Sequence, residues 1–288
     1  MVWANQVVQG ILLGGLYALF ATGLSLVFGV MRLVNLAHGD LIVLAAFLSY
    51  AIVDSLGWNP FATLVLLIPL MALLGFGLQY LMLNFTLDSG LAPLLATFGL
   101  AVVIQNVLLE QFSADRKRLH PGAIETESIR INDQISIGWF PLLTFLVAVL
   151  LLVTLQVVIR RTKLGRALRA TSDDQRTAQL VGIDNRKLYA VAMAMSMATV
   201  AIAGVFLGIY TSFEPSSGPA RLIFAFEAVI IGGLGSLWGT LAGGIVIGVA
   251  QTVGAQVSIG WGELAGHLVF LAILLVRPRG LFPGPEPT

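Results

Sequence analysis

Long apolar runs separated by short polar breaks fill most of the chain. Residues 7–30, 61–85, 91–109, 139–159 and 188–211 each come close to the roughly 20 residues a helix needs to cross a hydrocarbon core. Residues 41–53 and 261–276 are shorter runs of the same kind. The region 222–257 is less regular. A short piece, 222–231, ends at Gly232-Gly233-Leu234-Gly235-Ser236-Leu237-Trp238-Gly239, and a second piece carries Gly239, Gly243, Gly244 and Gly248. Glycines at that density predict a discontinuous helix pair packed tightly on a neighbour. Together the runs predict an all-α integral membrane protein. It is a single transmembrane domain over residues 1–288, a polytopic helical bundle of about eight to nine spans with discontinuous helices. Gly10, Gly14, Gly15 and Ala18 give the first span a face of small residues, and Gly204 and Gly208 do the same for the sixth. Pro69 is expected as a tolerated kink, and Trp139 with Pro141 as an interfacial anchor.

The break after the first span is unusual. Asn35, His38 and Asp40 lie within Asn35-Leu36-Ala37-His38-Gly39-Asp40, and the next apolar run starts at once with Leu41. Two readings stay open: a helix that breaks and restarts inside the protein, or an interfacial turn with Asp40 as N-cap of the second span.

Composition agrees with the pattern. Residues are 57% hydrophobic and 11% charged, whereas a soluble domain carries about 25% charged residues. The net charge of +1 hides segregation and implies no nucleic-acid partner. Cysteine is absent, which excludes disulfides and thiolate chemistry. The first basic residue is Arg32, so the basic region of a cleavable signal peptide is missing and the first run is expected to stay as a span.

Half of the Lys and Arg fall in residues 160–187: Arg160, Arg161, Lys163, Arg166, Arg169, Arg176, Arg186 and Lys187, against Asp173, Asp174 and Asp184. That excess places the loop in the cytoplasm. Residues 164–171 and 174–181 can each form a short helix, with Gly165 and Gly182 as breaks and Asp173 or Asp174 as cap of the second. Leu164, Ala167, Leu168 and Thr171 share a face of the first, Ala178 and Val181 a face of the second. Orientation needs only a few charges, so two amphipathic segments point to a docking surface as well. Residues 110–138, with Arg116, Lys117, Arg118 and Arg130 against Glu110, Asp115, Glu125, Glu127 and Asp133, are near neutral and are expected outside, as a small ordered cap or a surface for an external partner. Arg277 and Arg279 close the last span on the side of the basic loop. An even number of crossings must then separate the two: four if the broken region crosses twice, two if it crosses once.

Candidate chemistry is sparse. Glu227, in the middle of 222–231, would cost about 2.5–3.5 kcal/mol facing lipid, so it faces protein or water, on a substrate path or as a polar clasp between helices. Glu263 and His267, one turn apart near the last interface, are expected to be solvated. Ser236 lies in a glycine bend with His267 on a later helix, but Leu234 stands where a nucleophile elbow needs Gly. The three His are scattered without an HExxH pattern, and no Gly-Lys pair offers a Walker A loop. No catalytic residue, metal site or cofactor is expected. If ATP drives this protein, another chain binds it.

Leu13-Gly14-Gly15-Leu16-Tyr17-Ala18-Leu19, Gly23-Leu24-Ser25-Leu26-Val27-Phe28-Gly29 and the segment from Asn35 to Asp40 resemble the N-terminal half of LivH-type permeases of branched-chain amino acid ABC importers. The likeness continues at Ala96-Thr97-Phe98-Gly99-Leu100, Leu164-Gly165-Arg166-Ala167-Leu168-Arg169-Ala170, Ala178-Gln179-Leu180-Val181-Gly182-Ile183, Gly232-Gly233-Leu234-Gly235-Ser236 and Arg277-Pro278-Arg279-Gly280-Leu281-Phe282. The resemblance implies a multi-pass subunit of the bacterial inner membrane. Its partners would be a second related permease, two cytoplasmic ATPase subunits that bind the ATP, and a periplasmic substrate-binding protein. It also implies that residues 174–183 contact an ATPase, which makes Gly165, Arg166, Arg169, Asp174, Ala178 and Gly182 the coupling candidates. Asn35, His38, Asp40 and Glu227 are the candidates for the substrate path. The chain departs from the family pattern at Asp174-Gln175-Arg176-Thr177-Ala178, where Asn-Pro-Glu-Ala-Ala is expected. It departs again at Trp238, where many relatives have Pro, and at Asp88, where basic residues are expected. Branched-chain amino acids, other amino acids, urea and short amides stay open as substrates. A rival reading is an ion-coupled secondary transporter with Glu227 as proton carrier.

Overall fold

The computed structural model describes residues 2–86, 91–132, 135–258 and 260–282. The connection with Asp88, and Asp133 in the near-neutral loop, lie outside them. Eleven α-helices make up the described chain: α1 (Val2–Met31), α2 (His38–Leu56), α3 (Leu64–Leu81), α4 (Ala92–Phe112), α5 (Trp139–Arg161), α6 (Lys163–Asp173), α7 (Gln175–Leu180), α8 (Asn185–Tyr210), α9 (Gly218–Gly232), α10 (Leu237–Val257) and α11 (Trp261–Val276). Seven of them, α1 to α5, α8 and α10, are long and apolar enough to cross a membrane. The 15 residues of α9 and 16 of α11 extend only about 22 and 24 Å at 1.5 Å per residue.

Burial divides the helices. α1 has apolar residues on every side, the signature of a buried helix, and it sits at the centre against α10, α8, α5 and α9. α3, α4 and α5 turn most of their length outward, with Val65, Leu73, Leu95 and Leu150 exposed as lipid-facing side chains. The glycine faces work as predicted. Gly10 and Gly14 lie on the backbone at Val249 and Ile245, and Gly244 and Gly248 return the contact on the backbone of Gly14, Ala18 and Gly10. A Cβ on Gly248 would stand 2.7 Å from the Gly14 nitrogen. Gly204 meets α2 at Ile42 and Ala45 in the same way.

The ends of the bundle are identified by contacts. At the basic end, the Ser172 hydroxyl donates to the Gly29 carbonyl (2.6 Å), the Asn84 amide to the Arg186 carbonyl (3.3 Å), and the tail nitrogens of Leu281 and Phe282 to the carbonyls of Ile231 (2.7 Å) and Gly232 (3.1 Å). At the opposite end, the Leu119 nitrogen donates to the Gly208 carbonyl (2.9 Å), and Arg116 pairs with Glu214 (3.2 Å). α8, α9, α10 and α11 therefore run between the two ends in alternation, so the broken region passes twice. The described residues of the near-neutral loop include a 3₁₀ turn at Ala123–Glu125 and an antiparallel pair, β1 (Ser128–Asn132) and β2 (Ile135–Gly138), which the hydrophobic pattern did not announce.

Gly165 corrects an expectation. It does not break the loop helix but lies in the first turn of α6, whose N-cap Thr162 accepts from the Gly165 nitrogen (3.0 Å). Its role is close approach: a Cβ there would collide with the carbonyls of Val158 and Ile159 at the end of α5. Gly182 does act as a break, at φ +88°.

Candidate functional site

The restart of α2 is the first polar feature. After Arg32, a non-glycine residue at φ +52°, the chain doubles back along α1 instead of leaving the bundle. The Asn35 carboxamide accepts from the Ala37 nitrogen (3.0 Å), the Leu36 nitrogen donates to the Thr97 hydroxyl (3.2 Å), and Nε2 of His38 donates to the Phe20 carbonyl (2.8 Å). Phe20 lies well inside α1, so α2 begins at depth, which selects the break-and-restart reading. Asp40 is not an N-cap: Ala37 holds that position without a side-chain cap, and Asp40 instead accepts from the Gln105 amide of α4 (2.8 Å). Gly39 and Gly218 let the first turn of α2 and the start of α9 touch, and a Cβ on Gly218 would strike the Asp40 carboxylate. Beside His38, the Ser196 hydroxyl donates to the Gly23 carbonyl (2.9 Å) and the Thr199 hydroxyl to the Ser196 carbonyl (2.7 Å).

Glu227 stands apart from this knot. It is nine residues beyond Gly218 on α9, about 13 Å along the axis. Its Oε1 lies 2.5 Å from Nδ1 of His267 on α11, so His267, expected to be solvated, is half-buried against Glu227, while Glu263 is exposed as expected. The His267 ring stacks on Phe224 (5.7 Å), Phe224 on Tyr17 (5.0 Å), and the Tyr17 hydroxyl donates to Gln251 Oε1 (2.5 Å). Three buried atoms of this cluster, Arg221 Nε, Glu227 Oε2 and Gln251 Nε2, have no hydrogen-bond partner among the described residues. Buried polar groups left unpaired cost about 1–3 kcal/mol each. Asn35, His38, Asp40 and Glu227 are all exposed by 4% or less, whereas their partners Gln105 and His267 are half-buried.

The basic loop is the third feature. Leu168, Thr171 and Ala178 are buried, while Arg166, Arg169 and Arg176 face out. The inner side is tied to three spans. An Arg169 guanidinium N–H donates to the Ile159 carbonyl at the end of α5, Ser172 is bonded to α1, and Asn185 of α8 takes the Thr171 hydroxyl (3.3 Å) and gives its amide to the Gln175 carbonyl (2.9 Å). Asp174 caps α7, accepting from the nitrogens of Arg176 (2.9 Å) and Thr177 (3.2 Å) and from the Thr177 hydroxyl (2.5 Å). The hydrogen bonds from Thr177 hold its carboxyl below the ordinary Asp value. Asp184 caps α8, and its bonds from the Lys187 backbone and side chain lower it likewise. α7 then stops at Gly182, whose nitrogen donates to the Gln179 carbonyl (3.0 Å). Leu180 and Val181 are left exposed by 87% and 74%. Val181 thus does not share the buried side of Ala178.

Residues 6–277 match the family described as branched-chain amino acid transport system, permease component. The chain belongs to this family. It is 29% identical to the high-affinity branched-chain amino acid transport system permease protein BraD of Pseudomonas aeruginosa, over 99% of this chain and 97% of that protein. Identity to the permease protein LivH of Escherichia coli is also 29%, over 98% of this chain and 96% of LivH. The LivM permease of the same organism is 29% identical over half of this chain and 35% of its own length. No solved structure matches. With these relatives and seven helices long enough to cross, this permease is a multi-pass protein of the bacterial inner membrane.

Within this permease, Asn35, His38 and Asp40 come together at the α2 restart, and Glu227 joins a separate cluster. Gln105, Tyr17, Arg221 and Gln251 complete the two clusters and were not singled out in the sequence, whereas His267 was noted there only as a solvated neighbour of Glu263. A signal existed for the two amides, which sit inside otherwise apolar runs. Ser236 serves as N-cap of α10, its hydroxyl accepting from the Gly239 nitrogen (3.1 Å). No group of three or more metal-ligating side chains occurs among the described residues.

Proposed function

We propose that this chain is the membrane subunit of an ATP-driven importer of branched-chain or related amino acids, with the basic loop in the cytoplasm and gripped by separate ATPase subunits. The observation that carries the reading is the two-sided loop. Outside it offers the exposed pair Leu180 and Val181 on a loop that also turns Arg166 and Arg176 outward, an apolar and basic surface suited to a protein partner. Inside it is bonded to α1, α5 and α8. A force applied at Gly182 therefore reaches the helices that hold the polar knot. Arg166, Arg169, Asp174, Ala178 and Gly165 maintain that lever: Arg166 faces the partner, Arg169 ties α6 to the end of α5, Asp174 caps α7, and Ala178 and Gly165 seat it against the bundle.

Asn35, His38, Asp40 and Glu227 are the polar groups this motion would expose to substrate, with Gln105 and His267 as the partners that hold them while the path is closed. A second, related permease would complete the pathway, as the relationship to both LivH and LivM suggests, and a periplasmic binding protein would deliver the substrate to the face carrying residues 110–138. The LivH and BraD names favour branched-chain amino acids over urea or short amides. A secondary transporter using Glu227 as proton carrier has one observation in its favour, the Glu227–His267 pair, and predicts uptake by this chain alone. Charge reversal at Arg166 and Arg169 distinguishes the two. It is expected to abolish uptake and co-purification of ATPase subunits at normal membrane levels, and unchanged uptake would remove the coupling reading.

A further inference from the structure

The basic end also holds a cavity of about 700 Å³ bounded by α1, α5, α6, the turn at 235–238 and Phe282. Its walls are apolar at Leu26, Val30 and Leu237, and Arg160, Arg169, Asp173 and Trp238 also line it. Trp238 is exposed by 45%, at the end of a span, where an indole ring prefers to lie at headgroup level. On α5, Val153, Val157 and Arg160 follow one stripe at i, i+4, i+7 spacing, with both valines exposed. An apolar outer stripe thus leads to a cavity whose lining includes two arginines and an indole.

We propose that this cavity seats the headgroup of a membrane phospholipid. Its phosphate lies against Arg160 and Arg169, a hydrogen-donating headgroup such as a primary ammonium or glycerol hydroxyl meets Asp173, and an acyl chain follows Val157 and Val153. Guanidinium forks match phosphate oxygens, and basic pockets between spans at the inner face suit phospholipid headgroups. Arg169 spends one N–H on the Ile159 carbonyl and keeps its remaining donors for the phosphate. Because Arg160 belongs to α5 and Arg169 to α6, the lipid braces the elbow between a span and the loop. Trp238, the departure from the family pattern noted in the sequence, gains a role as the side wall.

The test uses the full-length chain, purified and stripped of lipid. It is titrated with phosphatidylethanolamine, phosphatidylglycerol and phosphatidylcholine of identical acyl chains, and separately with inorganic phosphate, and bound molecules are counted by native mass spectrometry. Phosphatidylethanolamine and phosphatidylglycerol are expected to be retained. Phosphatidylcholine should bind more weakly, since choline donates nothing to Asp173, and inorganic phosphate should not be retained. Arg160→Gln and Arg169→Gln are each expected to weaken retention about fivefold, the factor equivalent to about 1 kcal/mol per basic residue. Asp173→Ala should erase the preference over phosphatidylcholine. A thermal melt of each variant confirms folding, which the exposed positions of Arg160, Arg169 and Asp173 favour. Equal retention by the wild type and the Arg160→Gln/Arg169→Gln double variant overturns the proposal, as does retention of inorganic phosphate alone or of no lipid at all.

Discussion

Replacing Gly182 strains the loop without touching anything else. The residue sits at φ +88°, and no atom lies within 4 Å of where a Cβ would stand, so every effect of substitution is conformational. Ala pays the left-handed cost of about 1–2 kcal/mol, and Asn less, because its short side chain visits that region routinely. Pro is fixed near φ −65° and has no N–H, so it also forfeits the bond to the Gln179 carbonyl at 3.0 Å, worth about 1 kcal/mol. Because the Pro ring cannot reach φ +88° at all, its cost exceeds the about 2–3 kcal/mol that these contributions sum to, a drop of more than about 30-fold in the population of the native turn. α7 has only six residues and cannot resist such a loss, since helices this short are marginal without their caps. Uptake of branched-chain amino acids by cells carrying the complete transporter, normalised to protein in the membrane, is expected to fall in the order Gly, Asn, Ala, Pro. Membrane levels should stay constant, because the turn lies outside the bundle core. A Pro variant that inserts normally and transports at the wild-type rate would refute the reasoning.

Other perturbations probe the interior. His267→Ala leaves both carboxylate oxygens of Glu227 unpartnered and is expected to destabilise the detergent-solubilised protein by about 1–3 kcal/mol. Adding Glu227→Leu should recover part of that loss in thermal melts, whereas purely additive effects would deny the pair. Gly248→Leu pushes a side chain into the Gly10 and Gly14 backbone, and an overpacked site of this kind costs about 1–3 kcal/mol or more. Size-exclusion profiles should show misassembled protein, and a normal profile would argue against the α1–α10 contact. For Asp174 the folded-state carboxyl is depressed below its ordinary 3.8, so the cap contributes fully above that value and is lost as pH falls through the lower folded one. The protection of the α7 amides, taken relative to the intrinsic exchange rate at each pH, is therefore expected to be unchanged between pH 7 and 5 and to fall only below about pH 3.8, with Asp174→Asn abolishing that fall.

Much of the fold was legible because lipid imposes a simple rule: every span must be apolar and long, and close helix contacts must be lined by small residues. The runs, the Gly10–Gly14 face, the bend at 232–239 and the Asp174 cap follow from it. What stayed hidden is tertiary. Gly165 reads as a helix break in one dimension, and only the carbonyls at the end of α5 reveal it as a contact point. Asp40 was ambiguous because a carboxylate in a first helical turn serves equally as cap or as buried acceptor, and Gln105, 65 residues away, decides the matter. His267 was expected to be solvated near the last interface, but its partner Glu227 lies on another helix. The strands β1 and β2 are too short for alternation to register against the surrounding polar residues.

The absence of cysteine from the chain permits a direct measurement of the loop. A Leu180→Cys variant, at a position exposed by 87%, is treated with a membrane-impermeant maleimide in intact cells, in inverted vesicles, and in inverted vesicles stripped of peripheral ATPase subunits. The expected result is no labelling in intact cells, weak labelling in inverted vesicles, and strong labelling once the ATPase subunits are removed. Labelling from outside intact cells, or equal labelling with and without those subunits, would contradict the assignment of this loop as the handle through which ATP hydrolysis moves the permease.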